Sequence, residues 1–315
     1  MNPYIQNPES WQWNFDIQHE LTQNTTITAN YVGSADTRTD VGGENNTAVT
    51  PGPGDPQSRA PYPYIVPTFY DQSVGRATYN AFQFSLNHRW QNGLSYLVSY
   101  TYSKAEDLGS DGWFGADGSN VPNPYNLREN WSVAGYDVPQ ALSASWNYSL
   151  PIGSGKQFST HNKALDYVVG NWQLNGILTL TSGYPYTISA PSGIPNTGAI
   201  WERANQISAS SGVAHPSTAE WFNTAAFQAP AEYTFGNAGR NSMRSDWMRD
   251  LDFSIFREFP ISESKRFEFR ADAFNLTNSP VWGFPDSGVA DQNFGRIFGT
   301  NNSSRELQFA LKFYF

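Results

Sequence analysis

Four residues near the C-terminus raise the first chemical question. Arg266, Glu268, Arg270 and Asp272 recur at every second position, which puts all four on one face of an extended strand. Such a row could line a substrate path or grip a neighbouring domain; it could equally pair across strands and stiffen a wall. Asp107, Asp111, Asp117 and Asn120, in DLGSDGWFGADGSN, carry oxygen atoms that suit calcium. The stretch lacks the terminal glutamate of an EF-hand loop, and a polar loop is the better reading. His19, His88, His161 and His215 are scattered without an i, i+4 pair, and we assign none to a metal. No GxSxG, HExxH or P-loop pattern occurs, and no two carboxylates stand out as a glycosidase pair. Asn147 and Asn275 begin Asn-x-Ser/Thr triplets and read as ordinary polar wall or loop residues. The expectation is a protein that is not an enzyme and uses no cofactor.

The aromatic residues point elsewhere. Trp11, Trp13, Trp90, Trp146 and Trp172 could stack on sugars, but they stand near the ends of alternating segments. Amphipathic rings suit a membrane–water interface there, so we read them as an interfacial girdle. The chain ends RELQFALKFYF. Leu307, Phe309, Leu311, Phe313 and Phe315 share one strand face, opposite Glu306, Gln308, Ala310 and Lys312. A terminal strand ending in phenylalanine resembles the signal that the barrel assembly machinery recognises, and Phe309, Leu311, Phe313 and Phe315 would carry it.

Nine segments alternate at period 2, each over about ten residues, the length a tilted membrane strand needs. They run from Trp11–Trp13–Phe15–Ile17, through Phe82–Phe84–Leu86–Trp90 and Leu142–Ala144–Trp146–Tyr148, to the C-terminal run. Asn92–Gly93 between the third and fourth is a strong hairpin signal. Short turns on one side face long connections on the other, at 35–75, 105–137, 184–246 and 278–304, the asymmetry of an outer-membrane barrel. The fold expected is all-β: a partial transmembrane antiparallel β-barrel. An odd strand count leaves two edges without partners, a liability in lipid. The chain opens MNPYIQNPESWQW, without a basic start and apolar stretch. Both points favour the C-terminal part of a longer protein, over 1–315, with plug domain and signal peptide absent.

Composition agrees. Charged residues make up 15% and aromatics 16% of 315 residues, and mean hydropathy is −0.53, with polarity drawn mainly from uncharged side chains. A net charge of −9 argues against nucleic acid. The absence of cysteine rules out a disulfide framework or thiolate metal site.

Several stretches taken in order resemble the C-terminal barrel of TonB-dependent outer-membrane receptors, specifically the Oar-like group: NPYIQNPESWQWNFDIQHEL at 2–21, GLSYLVSYTYSKAED at 93–107, NPYNLRENWSVAGYDVPQALSASWNYSLPIGSGKQF at 123–158, GNWQLNGILTLTSGYPYTI at 170–188, FGNAGRNSMRSDWMRDLDFSIFREFPI at 235–261 and FRADAFNLTNSP at 269–280. The resemblance implies a barrel of about 22 strands, of which this chain supplies roughly the last nine. It also implies a Gram-negative outer-membrane location and contact with lipid and the assembly machinery. TonB would engage only through an N-terminal part outside this sequence. The ligand stays open. A soluble all-β carbohydrate-binding or carbohydrate-active module and a surface or adhesion barrel without uptake are the alternatives.

Overall fold

The computed structural model describes residues 4–109, 121–159, 162–262 and 264–315. Asp111, Asp117, Asn120 and His161 lie outside the described residues. Nine long strands form one antiparallel sheet in chain order: β1 Glu9–Thr22, β2 Thr25–Asn45, β3 Thr68–Gln91, β4 Leu94–Asp107, β5 Gln140–Ser149, β6 Gln173–Thr181, β7 Met248–Pro260, β8 Arg266–Phe274 and β9 Glu306–Tyr314. Each of the nine alternating segments is a strand. A two-residue strand, Ser132–Val133, pairs with the end of β4. Among the described residues, β1 and β9 are each paired on one side. Among the described residues no helix is long and apolar enough to cross a membrane.

The registers align the alternation from strand to strand. Phe15 lies opposite Tyr31, Tyr31 opposite Phe82, and Phe82 opposite Tyr102. Leu142 pairs with Leu180, Leu178 with Leu251, and Phe267 with Phe313. Directly opposed residues share a face, so one largely apolar face extends across all nine strands. Its large side chains are open, with Phe15 64% and Leu311 70% exposed. The reverse face carries small polar residues such as Ser99 opposite Ser143 and Asn147 opposite Asn175. Two tryptophans fill gaps left by glycines opposite them. Trp13 lies over Gly33 and Trp146 over Gly176, and a Cβ at either glycine would fall inside the indole.

The structure differs from the sequence reading in four places. First, β2 and β3 run for 21 and 24 residues, twice the roughly 9–11 that a bilayer needs. Much of 35–75 is therefore a projecting hairpin rather than a loop. Its alternation fades because neither face meets hydrocarbon there, and its register slips around Thr37, Thr39 and Val41. Second, the register also slips between His88 and Gln91, so Trp90 does not continue the row of Phe82, Phe84 and Leu86. His88 holds the place in that row opposite Tyr96 and stacks on its ring at 5.0 Å. Third, the connection 151–170 contains a short helix, α1 Lys163–Val169, capped by Asn162. Fourth, the long connections are not merely polar loops.

They form a cap with its own core. Tyr186, Ile188, Ala204, Phe222, Ala226, Phe227 and Ala238 are buried together, with Phe222 packed edge-on against Phe227 and Phe294 at 5.9 and 5.1 Å. A buried polar knot ties this cap to the wall. The Arg240 guanidinium is ion-paired with Asp107 at the end of β4 and donates to the Asn130 carbonyl at 3.0 Å. Arg203 donates to Asn130 Oδ1 at 2.8 Å, and Arg244 is ion-paired with Asp137. Asn275 is also buried and bridges the segment after β8, donating to the Ser279 and Ser303 carbonyls at 3.3 and 3.0 Å. It is a loop residue, as the sequence suggested, and it pins that loop.

The turns agree with the expected asymmetry. Asn92 and Gly93 both have positive φ, 51° and 85°, the two-residue hairpin geometry that Asn-Gly favours.

Candidate functional site

Arg266, Glu268, Arg270 and Asp272 share the polar face of β8, and each has a partner. Arg266 Nε donates to Glu258 on β7 at 3.1 Å and its guanidinium lies 4.1 Å from the Tyr314 ring centre. Glu268 lies 3.4 Å from Lys312 Nζ and accepts from Tyr314 Oη at 3.1 Å. Arg270 Nε bonds both Asp272 oxygens at 2.8 and 2.9 Å, and Ser254 Oγ donates to Asp272. These bonds join β7, β8 and β9 across the polar face.

The apolar counterparts sit as the alternation predicts. Phe309, Leu311 and Phe313 oppose Ala271, Phe269 and Phe267. Phe315 follows β9, stacked on Phe313 at 5.9 Å. Trp11 and Trp13 lie in the first part of β1. Trp13 is on the same cross-strand row as Gly33, Asn80 and Lys104, where the apolar face turns polar. Trp146 lies at the other end, near the β5–β6 connection. Trp172 immediately precedes β6 and donates Nε1–H to the Val168 carbonyl at 3.1 Å. Asp107, considered for calcium, is buried and ion-paired with Arg240 instead.

One exception interrupts the apolar face. Arg257 of β7 stands opposite Phe269, within the row of Phe253, Ile255 and Phe259. It is nonetheless only 2% exposed. Helix α1 folds over it, and the guanidinium donates to the Val168 carbonyl at 2.5 Å. The rings of Phe259, Tyr167 and Trp172 stand 4.4, 5.5 and 5.8 Å away.

The cap holds a cavity of about 560 Å³ between three connections: β4–β5 supplies Pro122, β6–β7 supplies Tyr184, Tyr186, Trp201 and Glu202, and β8–β9 supplies Phe284. Ser189 N–H donates to the Ser287 carbonyl at 3.0 Å and joins two of these connections, while Ala190 N–H donates to the Glu202 carbonyl at 3.1 Å within the β6–β7 connection. Glu202 is 5% exposed, and among the described residues neither carboxyl oxygen has a hydrogen-bond partner; nor does the Tyr186 hydroxyl. Burial pushes the Glu202 carboxyl up to about 8, with Arg203 partly opposing. Burial likewise raises Tyr186, and burial together with Arg240 lowers Arg203. Sequence reasoning missed Glu202: it lies in an irregular connection where no period marks which residues converge.

A pH dependence follows. The folded Glu202 keeps its proton to about pH 8, whereas an unfolded glutamate loses it near 4.3. Between those values the folded state binds more protons, so stability falls as pH rises. We expect resistance of the cap to proteolysis to decline from pH 5 to about 8, and the Glu202→Gln variant to flatten that decline. An unchanged slope in the variant would contradict the assignment.

The sequence matches the model of the outer membrane beta barrel domain over residues 1–308. The chain belongs to this family. It is accordingly a protein of the Gram-negative outer membrane. The barrel domain resembles the outer membrane transporter YddB from Escherichia coli, at 10% identity and a TM-score of 0.49, over 99% of this chain and 33% of that one. It resembles FpvA of P. aeruginosa, solved in complexes with heterologous pyoverdines, at 10% identity and a TM-score of 0.49, over 98% of this chain and 27% of that one. The chain thus spans about a third or less of the two proteins it resembles. No curated protein matches the sequence.

Proposed function

We propose that this barrel domain is one arc of the wall, together with the outer cap, of a TonB-dependent receptor of the Oar-like group. The observation that carries this reading is the apolar face that crosses nine adjacent strands, interrupted at the covered Arg257, and ends at two strands that among the described residues are each paired on one side. Unpaired edges are costly in lipid, because no water replaces the missing backbone partners. Further strands would complete the ring, on the order of 22 in all. The apolar face then meets hydrocarbon and the paired charges of β7, β8 and β9 meet the lumen. Trp11, Trp13, Trp90, Trp146 and Trp172 form the interfacial girdle, and Phe309, Leu311, Phe313 and Phe315 are read by the assembly machinery. The short turns lie in the periplasm and the cap lies outside. Ligand uptake would require the plug and the TonB-engaging segment from an N-terminal part of the same receptor.

The ion pairs and aromatic contact on the polar face favour wall support as the work of Arg266, Glu268, Arg270 and Asp272. The long connections carry the receptor function instead, since they form a packed cap with a cavity.

The test is to express residues 1–315 behind an export signal and compare boiled with unboiled migration of the outer-membrane fraction. An arc lacking its partners is expected to be degraded or insoluble, and to be recovered when the remaining strands are co-expressed. A heat-modifiable barrel formed by this chain alone would overturn the arc reading.

A further inference from the structure

We propose that helix α1 is a lipid-docking element: Leu165, Tyr167 and Val168 enter the leaflet on the side of the short turns and meet glycerophospholipid there. The argument starts from which face of the sheet the helix occupies. Arg257 belongs to the apolar row of β7, opposite Phe269. Helix α1 lies over it, and the Val168 carbonyl accepts from its guanidinium at 2.5 Å. The Tyr167 ring packs on Phe259, in the same row, at 5.9 Å. Trp172, just after the helix, stands edge-on to Phe269 at 6.1 Å. The connection between β5 and β6 therefore folds back over the apolar face, the face that carries Phe267, Phe309 and Leu311 on the neighbouring strands.

The side chains of the helix are turned for that place. Its acid, Asp166, is 6% exposed and accepts from Ser159 Oγ at 3.0 Å. Leu165, Tyr167 and Val168 are instead 47%, 52% and 62% exposed. A surface helix in water turns its apolar residues inward and its charges outward. This one buries the carboxylate and presents the apolar residues, the arrangement that hydrocarbon favours. Its polar ends are closed as well. Asn162 Oδ1 accepts from the Ala164 and Leu165 N–H groups at 3.0 and 3.2 Å. The Val168 carbonyl takes a second bond, from Trp172 Nε1, at 3.1 Å. A segment at the edge of hydrocarbon needs such closure, because no water replaces a missing partner. The amphipathic rings of Tyr167 and Trp172 suit the head-group level. Lys156, exposed in the turn before the helix, carries the charge that a lipid phosphate would pair with. The exposed residues of α1 thus continue the face that the strands present to the bilayer, and lipid is the occupant that continuity selects.

This inference rests on the reading that the apolar face meets hydrocarbon, and not on the transport reading. The chain has no cysteine, so a single-cysteine variant places a nitroxide label at one site within it. Leu165→Cys and Val168→Cys on α1, Leu311→Cys on β9 and Lys156→Cys in the turn would each be made in the full-length receptor. The labelled proteins would be reconstituted in vesicles of phosphatidylethanolamine and phosphatidylglycerol. Collision of each label with molecular oxygen, which concentrates in hydrocarbon, would be compared with collision with a water-soluble nickel chelate. We expect oxygen to dominate at both helix positions and at the β9 position, and nickel to dominate in the turn. Nickel-dominated labels on the helix, with oxygen still dominant on β9, would overturn the proposal and leave the lipid-facing wall intact. Helix labels shielded from both reagents would overturn it in favour of a protein occupant, a second copy or a periplasmic partner. Nickel dominant on β9 as well would overturn the hydrocarbon reading of the apolar face and this inference with it.

Discussion

Replacing Arg240 by alanine is expected to loosen the cap while leaving the wall in place. The Arg240 and Asp107 side chains are 1% and 3% exposed. Arg240 also donates to the Asp107 carbonyl at 2.7 Å and to the Asn130 carbonyl at 3.0 Å. Removing one partner of a buried ion pair strands the other charge, at a cost of about 3–5 kcal/mol. The loss falls on the contact between the end of β4 and the 184–246 connection, because these are the segments the guanidinium joins. Limited proteolysis of outer-membrane vesicles should give new cleavage within 184–246, with the strands protected. Arg240→Lys should recover little, since an ammonium cannot reproduce the fork that reaches Asp107 and Asn130 together. Equal protease resistance in wild type and Arg240→Ala would show that the apolar core alone holds the cap.

Exchanging residues 162–169 for a Gly/Ser linker of equal length should destabilise the wall through Arg257. Helix α1 and Trp172 separate this guanidinium from lipid, and the Val168 carbonyl accepts its hydrogen bond. Without that cover an arginine faces the bilayer, at about 2–4 kcal/mol at mid-depth and less toward the interface. Arg257 is three residues from the end of β7, so the lower part of that range applies. Arg257→Leu in the intact protein should cost less, because it removes the charge along with its bonds. The informative result is the combination. If the helix serves as the cover, Arg257→Leu in the linker variant should restore much of the lost stability, a coupling that independent sites do not show. Additive losses, read from unfolding midpoints in urea, would mean that α1 contributes through its other contacts.

How much of this was legible in the sequence depended on where water and lipid sit. Within the membrane each strand has one apolar and one polar side, so a period of two is imposed on residues such as Leu307, Phe309, Leu311 and Phe313. That period yields the strands, their faces and the short turns. Outside the membrane the constraint lapses. The upper parts of β2 and β3 pair through Thr37, Thr39 and Val41 with slipped register, and so escaped the pattern. Trp90 looked like part of an apolar row, but the irregularity after His88 depends on how β3 meets β4 and is invisible in β3 alone. Arg257 has the sequence neighbours of an ordinary strand charge. Only a helix from another connection explains how it can occupy the apolar face.

The sequence by itself determined the all-β class, the nine strands, their two faces and the outer-membrane barrel architecture, because each rests on local alternation. The tertiary structure decided the rest. Asp107, Asn130 and Arg240 are far apart along the chain and meet in one buried knot, and Glu202 meets Tyr186 and Phe284 in one cavity. Such meetings depend on how long connections fold back on one another, and their partners are fixed by burial and hydrogen bonding between distant segments rather than by any spacing within one segment.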